Sequence, residues 1–461
     1  MNEREVTMHS KRFAHFRLLR PAGVGVGLAL FASALLASPS VLPPRPREIQ
    51  VQTVEQLYAA IDASAHCEHA LECHVTIHLA PGTYVLSARS ATGPPRPRSG
   101  SLRLPPGVAL VGSERHVDTN GDGVPDPIDP ENPDVFAVPG TETIIDGSHL
   151  VLEFEERDDC AGQFRFFPDP VVYVGRNNTI SSLSLVGGGN VPIGEPTNDR
   201  IDPEGSLTIQ ITDTVLQGDR IAMTFANSEC GARHARSVLS LSHSVVRGGL
   251  LMQNFYTGDA SDDPTDGPEI RATVAFNLFY GNGTALRAAA GDEGTDGGSL
   301  TLHTLGNVFR NNGMNLQLRG AVGRDGLRTV GNRLVVTSES DTFGEAPESV
   351  FITGGTGDAA GNSIKAEFFD SRFIRDSPDT PPEITIFGGE DIASDGHVLV
   401  GIRHARVETS DGEAVDGDLV IADETDAGDP PSKARLEGTQ RDFLRKNQGL
   451  PAPPEHFFVG H

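Results

Sequence analysis

From residue 200 onward the sequence repeats itself at irregular intervals near 30 residues, and few folds accept such a period. Thr214, Ser244, Asn277, Asn307, Asn332, Ser371 and Ala405 mark equivalent points, with spacings of 30, 33, 30, 25, 39 and 34. The residues seven, five and three places before each point are apolar in 17 of 21 cases, against about eight expected from the 37% apolar content. A second set keeps phase with the first: Ile221, Leu250, Leu286, Leu316, Val350, Ile384 and Leu419. Each is followed two residues later by Met223, Met252, Ala288, Leu318, Ile352, Ile386 or Ile421. Alternation with period two is the pattern of strands with one buried face. Two or three strands per repeat, with no helical pattern between them, exclude a leucine-rich repeat and a propeller. The expectation is an all-β, single-domain solenoid of parallel strands. Its small polar markers suit a turn where each side chain bonds to its counterpart one coil away, at about 4.8 Å. Asn277, Asn307 and Asn332 are the expected centre of that ladder.

The rest of the chain fits around the solenoid. Basic Lys11, Arg12, Arg17 and Arg20 precede an uncharged stretch, Pro21 to Ser40, with small residues for cleavage after Ala34 or Ala37. This reads as a signal peptide or N-terminal anchor over 1–38, and hence as a secreted, periplasmic or cell-envelope protein. A Pro-rich linker is expected over 39–49. Thr53 and Gln56 form a capping box, and Val54, Leu57, Tyr58 and Ile61 make one apolar stripe, so a short helix begins the folded part. Strands are expected at Val75–Leu79, Thr83–Leu86, Val108–Val111 and Thr143–Ile145. The solenoid is assigned to 50–430, with an acidic insertion at 118–134. The basic segment after Pro431, with Lys433, Arg435, Arg441, Arg445 and Lys446, is expected to form a helical C-terminal cap over 431–461, since a solenoid must protect its last edge.

The capping segment Val54–Ile61, the run from Val75 to Leu86, the segment Thr143–Gly147 and the coils to about residue 425 together resemble the pectin lyase-like superfamily. What the resemblance implies is a right-handed parallel β-helix. It also implies export and action on, or binding of, acidic polysaccharides, although members include adhesins, epimerases and proteins without catalysis. The calcium-pectate-lyase patterns are not visible. Nor are the paired Asp-Asp, Gly-His-Gly and Arg-x-Lys signatures of the polygalacturonases. Two function classes therefore stand: an exported envelope or extracellular protein that binds glycans or partners without catalysis, and a polysaccharide lyase or glycoside hydrolase-like enzyme acting on acidic polysaccharide. With 37 basic and 63 acidic residues the net charge is −26, which argues against a nucleic-acid partner. No second long apolar run indicates a membrane protein beyond the N-terminal anchor.

Reading the outward positions of the second repeated strand gives one row of Ala222, Leu251, Arg287, Gln317, Phe351, Thr385 and Val420. The adjacent row is Thr224, Gln253, Ala289, Arg319, Thr353, Phe387 and Ala422. Neither holds a carboxylate. Arg287 and Arg319 fall one coil apart and two residues out of phase, with Gln253 and Gln317 beside them. These four are the candidate ligand-binding residues, because guanidinium groups clamp carboxylates and sulfates through paired hydrogen bonds. The competing role is pairing with acids of the loops Gly258–Gly267 or Gly291–Gly297.

The sharpest local motif runs from Asp118 to Asp129 and follows the order of an EF-hand-type calcium loop. Asp118, Asn120, Asp122, Asp126 and Asp129 offer side-chain oxygens, and Val124 its carbonyl. Pro125, Pro127 and Pro130 forbid an exit helix, so the loop resembles the Asp-rich repeats of thrombospondin type 3 and dockerin modules. The expected cofactor is a structural calcium ion. Cys67, Cys73, Cys160 and Cys230 suit disulfides in an exported chain, with three pairings open. The histidines around Cys67 and Cys73 leave a zinc site as the alternative to a stapled loop. Asn177 and Asn282 each begin a glycosylation sequon.

Overall fold

The computed structural model describes residues 47–437 and 456–459, apart from 66–73, 91–94, 97–99, 114–142, 151–153, 159–163, 169, 188–192, 195–205, 219–220, 229–234, 256–266, 293, 324–327, 345, 376–382, 390–392, 394, 416, 418 and 423–432. The signal segment, all four cysteines and the calcium loop 118–129 lie outside the described residues.

Three long sheets make up the fold. Sheet I has 13 strands, from Arg47–Val51 to Lys433–Glu437 and His456–Val459. Sheet II has 11, from Gly82–Val85 to Ala414–Val415, and sheet III has ten, from Leu102–Arg103 to Leu419–Ala422. One coil shows the path: Arg236–Ser242 lies in sheet I, Val245–Arg247 in sheet II and Leu250–Phe255 in sheet III. The next coil pairs with it in parallel on all three faces. Alternate residues point inward and stack by register. Ile209, Leu239, Ala272, Leu302, Val336, Ala366 and Val400 form one buried column from sheet I. In sheet II, Phe279, Phe309, Phe343 and Phe373 stack at centroid distances of 4.8, 5.0 and 5.0 Å and are fully buried. Parallel pairing sets that spacing, and it falls where aromatic rings attract.

The turn from sheet I to sheet II takes two residues. The first is left-handed: Asp213, His243, Phe276, Gly306, Ser340, Asp370 and His404 all have φ between 49° and 60°. A phenylalanine is costly there. Phe276 stacks on His243 at 5.4 Å and lies over Gly306, where a Cβ would come within 2.8 Å of its ring. Gly306 is therefore needed for its missing side chain, since other residues hold the same φ at this turn position.

The second turn residue points inward and builds the polar ladder. The Thr214 amide donates to Ser244 Oγ at 3.2 Å, and the Ser244 amide to Asn277 Oδ1 at 2.9 Å. Asn277 donates its amide and Nδ2 to Asn307 Oδ1, both at 3.0 Å. The next member is not Asn332 but Asp341, whose Oδ1 accepts from the Asn307 amide at 2.7 Å and Nδ2 at 2.9 Å. Strand pairing fixes this: Thr304 lies opposite Ser338, so the intervals are 34 and 30, not 25 and 39. Asn332 belongs to a different corner, where its amide and Nδ2 donate to Asn362 Oδ1 at 2.9 and 3.0 Å. It ends a turn before the strand Arg333–Glu339, whereas the sequence reading took it to follow one. Asn282 joins a third stack, donating its amide to Asn312 Oδ1 at 2.9 Å. Its own Nδ2 is committed to the Val246 carbonyl and the residue is buried, so this sequon does not offer a glycosylation site.

Both ends depart partly from expectation. The helix Val54–Ala63 forms as read, with Thr53 as N-cap and Leu57, Ala60 and Ile61 buried. The strand Arg47–Val51 comes before it and occupies residues 47–49 of the expected linker, because Ile49 and Val51 continue the inward column of sheet I. The described part of the C-terminal segment is strand rather than helix. Lys433–Glu437 pairs in parallel with His397–Arg403, and His456–Val459 pairs with it antiparallel. Ala434 and Leu436 are buried under the last coil. The apolar spacing Ala434, Leu436 suits period two, and tertiary pairing selected it.

Candidate functional site

The outer face of sheet III holds the four candidate residues, and their placement follows from register. Thr224, Leu251, Arg287, Gln317, Phe351, Thr385 and Val420 form one row across the strands. Ala226, Gln253, Ala289, Arg319, Thr353, Phe387 and Ala422 form the next. From Leu251 onward these are the rows read from the sequence. In the first coil the reading was two residues early, because Met223 and Phe225, not Ile221 and Met223, fill the core.

Three parallel sheets, one strand per coil in each, close around a single core. The chain is a parallel β-helix. No known family matches its sequence and no curated protein does. Among solved structures, the family 28 exopolygalacturonase of Yersinia enterocolitica is similar to this β-helix at a TM-score of 0.31 and 13% identity, over 86% of this chain and 79% of that one.

Across this face of the β-helix, donors stand without acceptors. Arg287 is half-buried, and its Nε is shut off from solvent with no hydrogen-bond partner. Among the described residues it makes no ion pair either; most of the loop Gly258–Gly267, whose acids were the expected alternative partners, lies outside them. Gln317 lies directly beside it on the next strand, and Gln253 diagonally on the one before. Each glutamine is only 8% exposed, and among the described residues neither side chain forms a hydrogen bond. Arg319 is also half-buried and is already engaged by other contacts. The structure thus brings Arg287, Gln317 and Gln253 together, with Arg319 one strand and two residues away.

The sequence reading did not nominate two neighbours of this patch. Phe351 continues the row of Arg287 and Gln317, and Phe387 continues that of Arg319 and Thr353. Their rings meet at 5.4 Å, tilted by 48°. Both residues stood in the rows written from the sequence, and an outward aromatic on a strand was the available signal. Neither row contains a carboxylate or a histidine, and among the described residues no group of three or more His, Cys, Asp or Glu side chains converges to hold a metal. Glu348, at the start of the strand that carries Phe351, is an acid with an altered proton affinity. Burial alone holds its pKa above the usual carboxylate range.

The face therefore sets guanidinium and amide donors beside aromatic rings, with Phe351 as little exposed as the two glutamines. Donors of this kind complement carboxylate, sulfate and hydroxyl oxygens, and aromatic faces accept the C–H side of a sugar ring.

Proposed function

We propose that this parallel β-helix protein is exported to the cell envelope or extracellular space and there binds an acidic polysaccharide on the outer face of sheet III without transforming it. The observation that carries the reading is Arg287, whose buried Nε has no acceptor among the described residues. Leaving such a donor unsatisfied costs free energy unless a ligand supplies the oxygen. Gln253 and Gln317 add donors for hydroxyl groups, and Phe351 with Phe387 adds an apolar platform. Export is supported by the basic, then apolar, then small-residue order of residues 11–37. Among the described residues no helix is long and apolar enough to cross a membrane.

The test is binding of polygalacturonate by the parent and by Arg287→Ala. A lost charge-assisted pair corresponds to at least about tenfold weaker binding. Equal binding by the two proteins overturns the site.

The second reading is an enzyme acting on the same polymer, and Glu348 is the residue that favours it. A carboxyl whose pKa burial raises is suited to general-acid work. Incubation with uronate polymers, followed by ultraviolet absorbance of unsaturated ends and by new reducing ends, separates the readings. Product from the parent that disappears in Glu348→Gln establishes the enzyme.

In this proposal the loop 118–129 holds a structural calcium ion through Asp118, Asn120, Asp122, Val124, Asp126 and Asp129. The segment 118–134 has six acids and no Lys or Arg, a density that repels itself without a cation. Calorimetric titration with calcium gives heat for the parent and none for Asp118→Ala/Asp122→Ala; a silent parent removes the ion.

A further inference from the structure

The basic C-terminal segment finds its place on a different face, the outside of sheet I. Strand pairing sets Arg333, Ser363, His397 and Lys433 in one row, and Val335, Lys365, Leu399 and Arg435 in the next. Acids outnumber bases by 63 to 37 in this chain, yet these two rows hold four cations, one histidine and no carboxylate. Arg333 and Lys433 are exposed, and among the described residues neither forms an ion pair or side-chain hydrogen bond. Glu367, in the adjoining row, lies 3.4 Å from Lys365 and 3.8 Å from Arg403, Asp395 lies 3.2 Å from His397, and Arg435 is engaged by other contacts. Glu367 is thus shared between two cations, and Arg333 and Lys433 keep their charges uncompensated among the described residues.

From this juxtaposition we propose that the strip is a second binding surface, whose occupant is a linear acidic polysaccharide lying along the solenoid axis. The chemistry of the ligand rests on the function proposed above; the surface does not. Two rows span roughly 7 Å and the strands are about 4.8 Å apart, so the strip is one polymer chain wide. That is too narrow a contact to suit a membrane plane or a nucleic-acid duplex. Half-buried Val335 and Leu399 alternate with the cations and give the ring C–H groups an apolar floor. The net charge of −26 does not forbid this, because at physiological salt charges more than about 8 Å away are largely screened.

The experiment measures binding of the full chain to immobilised polygalacturonate at several salt concentrations. Parent, Lys365→Glu/Lys433→Glu and Arg287→Ala are compared, with anionic phospholipid vesicles as competitor. The double variant binds about tenfold or more weakly and shows a shallower salt dependence. Its loss multiplies with that of Arg287→Ala, because the two faces do not touch. If the double variant binds as the parent does while Arg287→Ala is weaker, the strip is overturned and the sheet III site stands. If only Arg287→Ala is unchanged, the strip stands alone. Vesicles that displace the polymer completely, or a parent that binds no polymer, also overturn the strip. Should the charge reversal unfold the protein, Lys365→Gln/Lys433→Gln removes the charges without repulsion; unchanged binding by that variant is equally decisive against the proposal.

Discussion

The interior ladder at the corner of sheets I and II and the donor row outside sheet III are both built by stacking polar residues one coil apart, yet they end differently. In the ladder the side-chain donors of Asn277 and Asn307 all meet acceptors. Asn307 alone connects Asn277, Val274 and Asp341. On sheet III, Arg287, Gln317 and Gln253 stand in comparable register and make no side-chain hydrogen bonds. Satisfied stacks fix the register of the coil. Unsatisfied ones at a surface leave their donors for something that is not part of the chain.

The comparison breaks first at Asn307. Replacing it by alanine strands the Asn277 amide and one Nδ2 hydrogen, and removes the Nδ2 bonds to Asp341 and to the Val274 carbonyl, while the backbone amide of residue 307 still reaches Asp341. The expected loss is roughly 2–4 kcal/mol, read from the denaturant midpoint. A change below about 0.5 kcal/mol means the ladder does not hold the coils together.

Asp341 sharpens the comparison by a smaller amount. It is fully buried and accepts from Asn307 through Oδ1 and from Ser338 Oγ at 2.6 Å and the Thr304 hydroxyl through Oδ2. Burial raises its pKa above the ordinary carboxylate value, and its four donors oppose that shift without cancelling it. A raised folded pKa means the protonated form is the better fitted to the fold. Its contribution is therefore full below the ordinary value, declines as pH climbs through the raised one, and is constant above. Asp341→Asn continues the amide ladder and loses this slope. Stability profiles of parent and variant that stay parallel across the acid range rule the idea out.

The smallest effect belongs to sheet III. Arg287→Ala, which weakens ligand binding, leaves stability within about 0.5 kcal/mol, because no bond inside the protein is lost. A large drop in melting temperature instead places Arg287 among the structural residues and merges the two regions.

Much of this was legible beforehand because a solenoid is governed by local repetition. Alternating residues such as Leu239, Leu241 and Leu250, Met252 declare which side faces the core. The helix at Val54–Ala63 carries its own cap and stripe. Arg287 and Arg319 could be placed on one face by counting. The errors arose where counting had two solutions. Asn332 and Asp341 both sit near the expected interval, and the sequence favoured the asparagine. The strand at Lys433–Glu437 sits in a basic segment that suits a helix equally well, and its partner strand is far away in sequence.

The sequence by itself determined the period, the all-β class, the inward columns and the outward rows, since these depend on residue order at separations of two. Tertiary structure decided which polar residues stack, because partners some 30 residues apart are chosen by strand register. It also decided that Arg287 lacks an acceptor while Asp341 has four donors. Whether a polar group is satisfied depends on every atom around it, and one chain position carries no record of that.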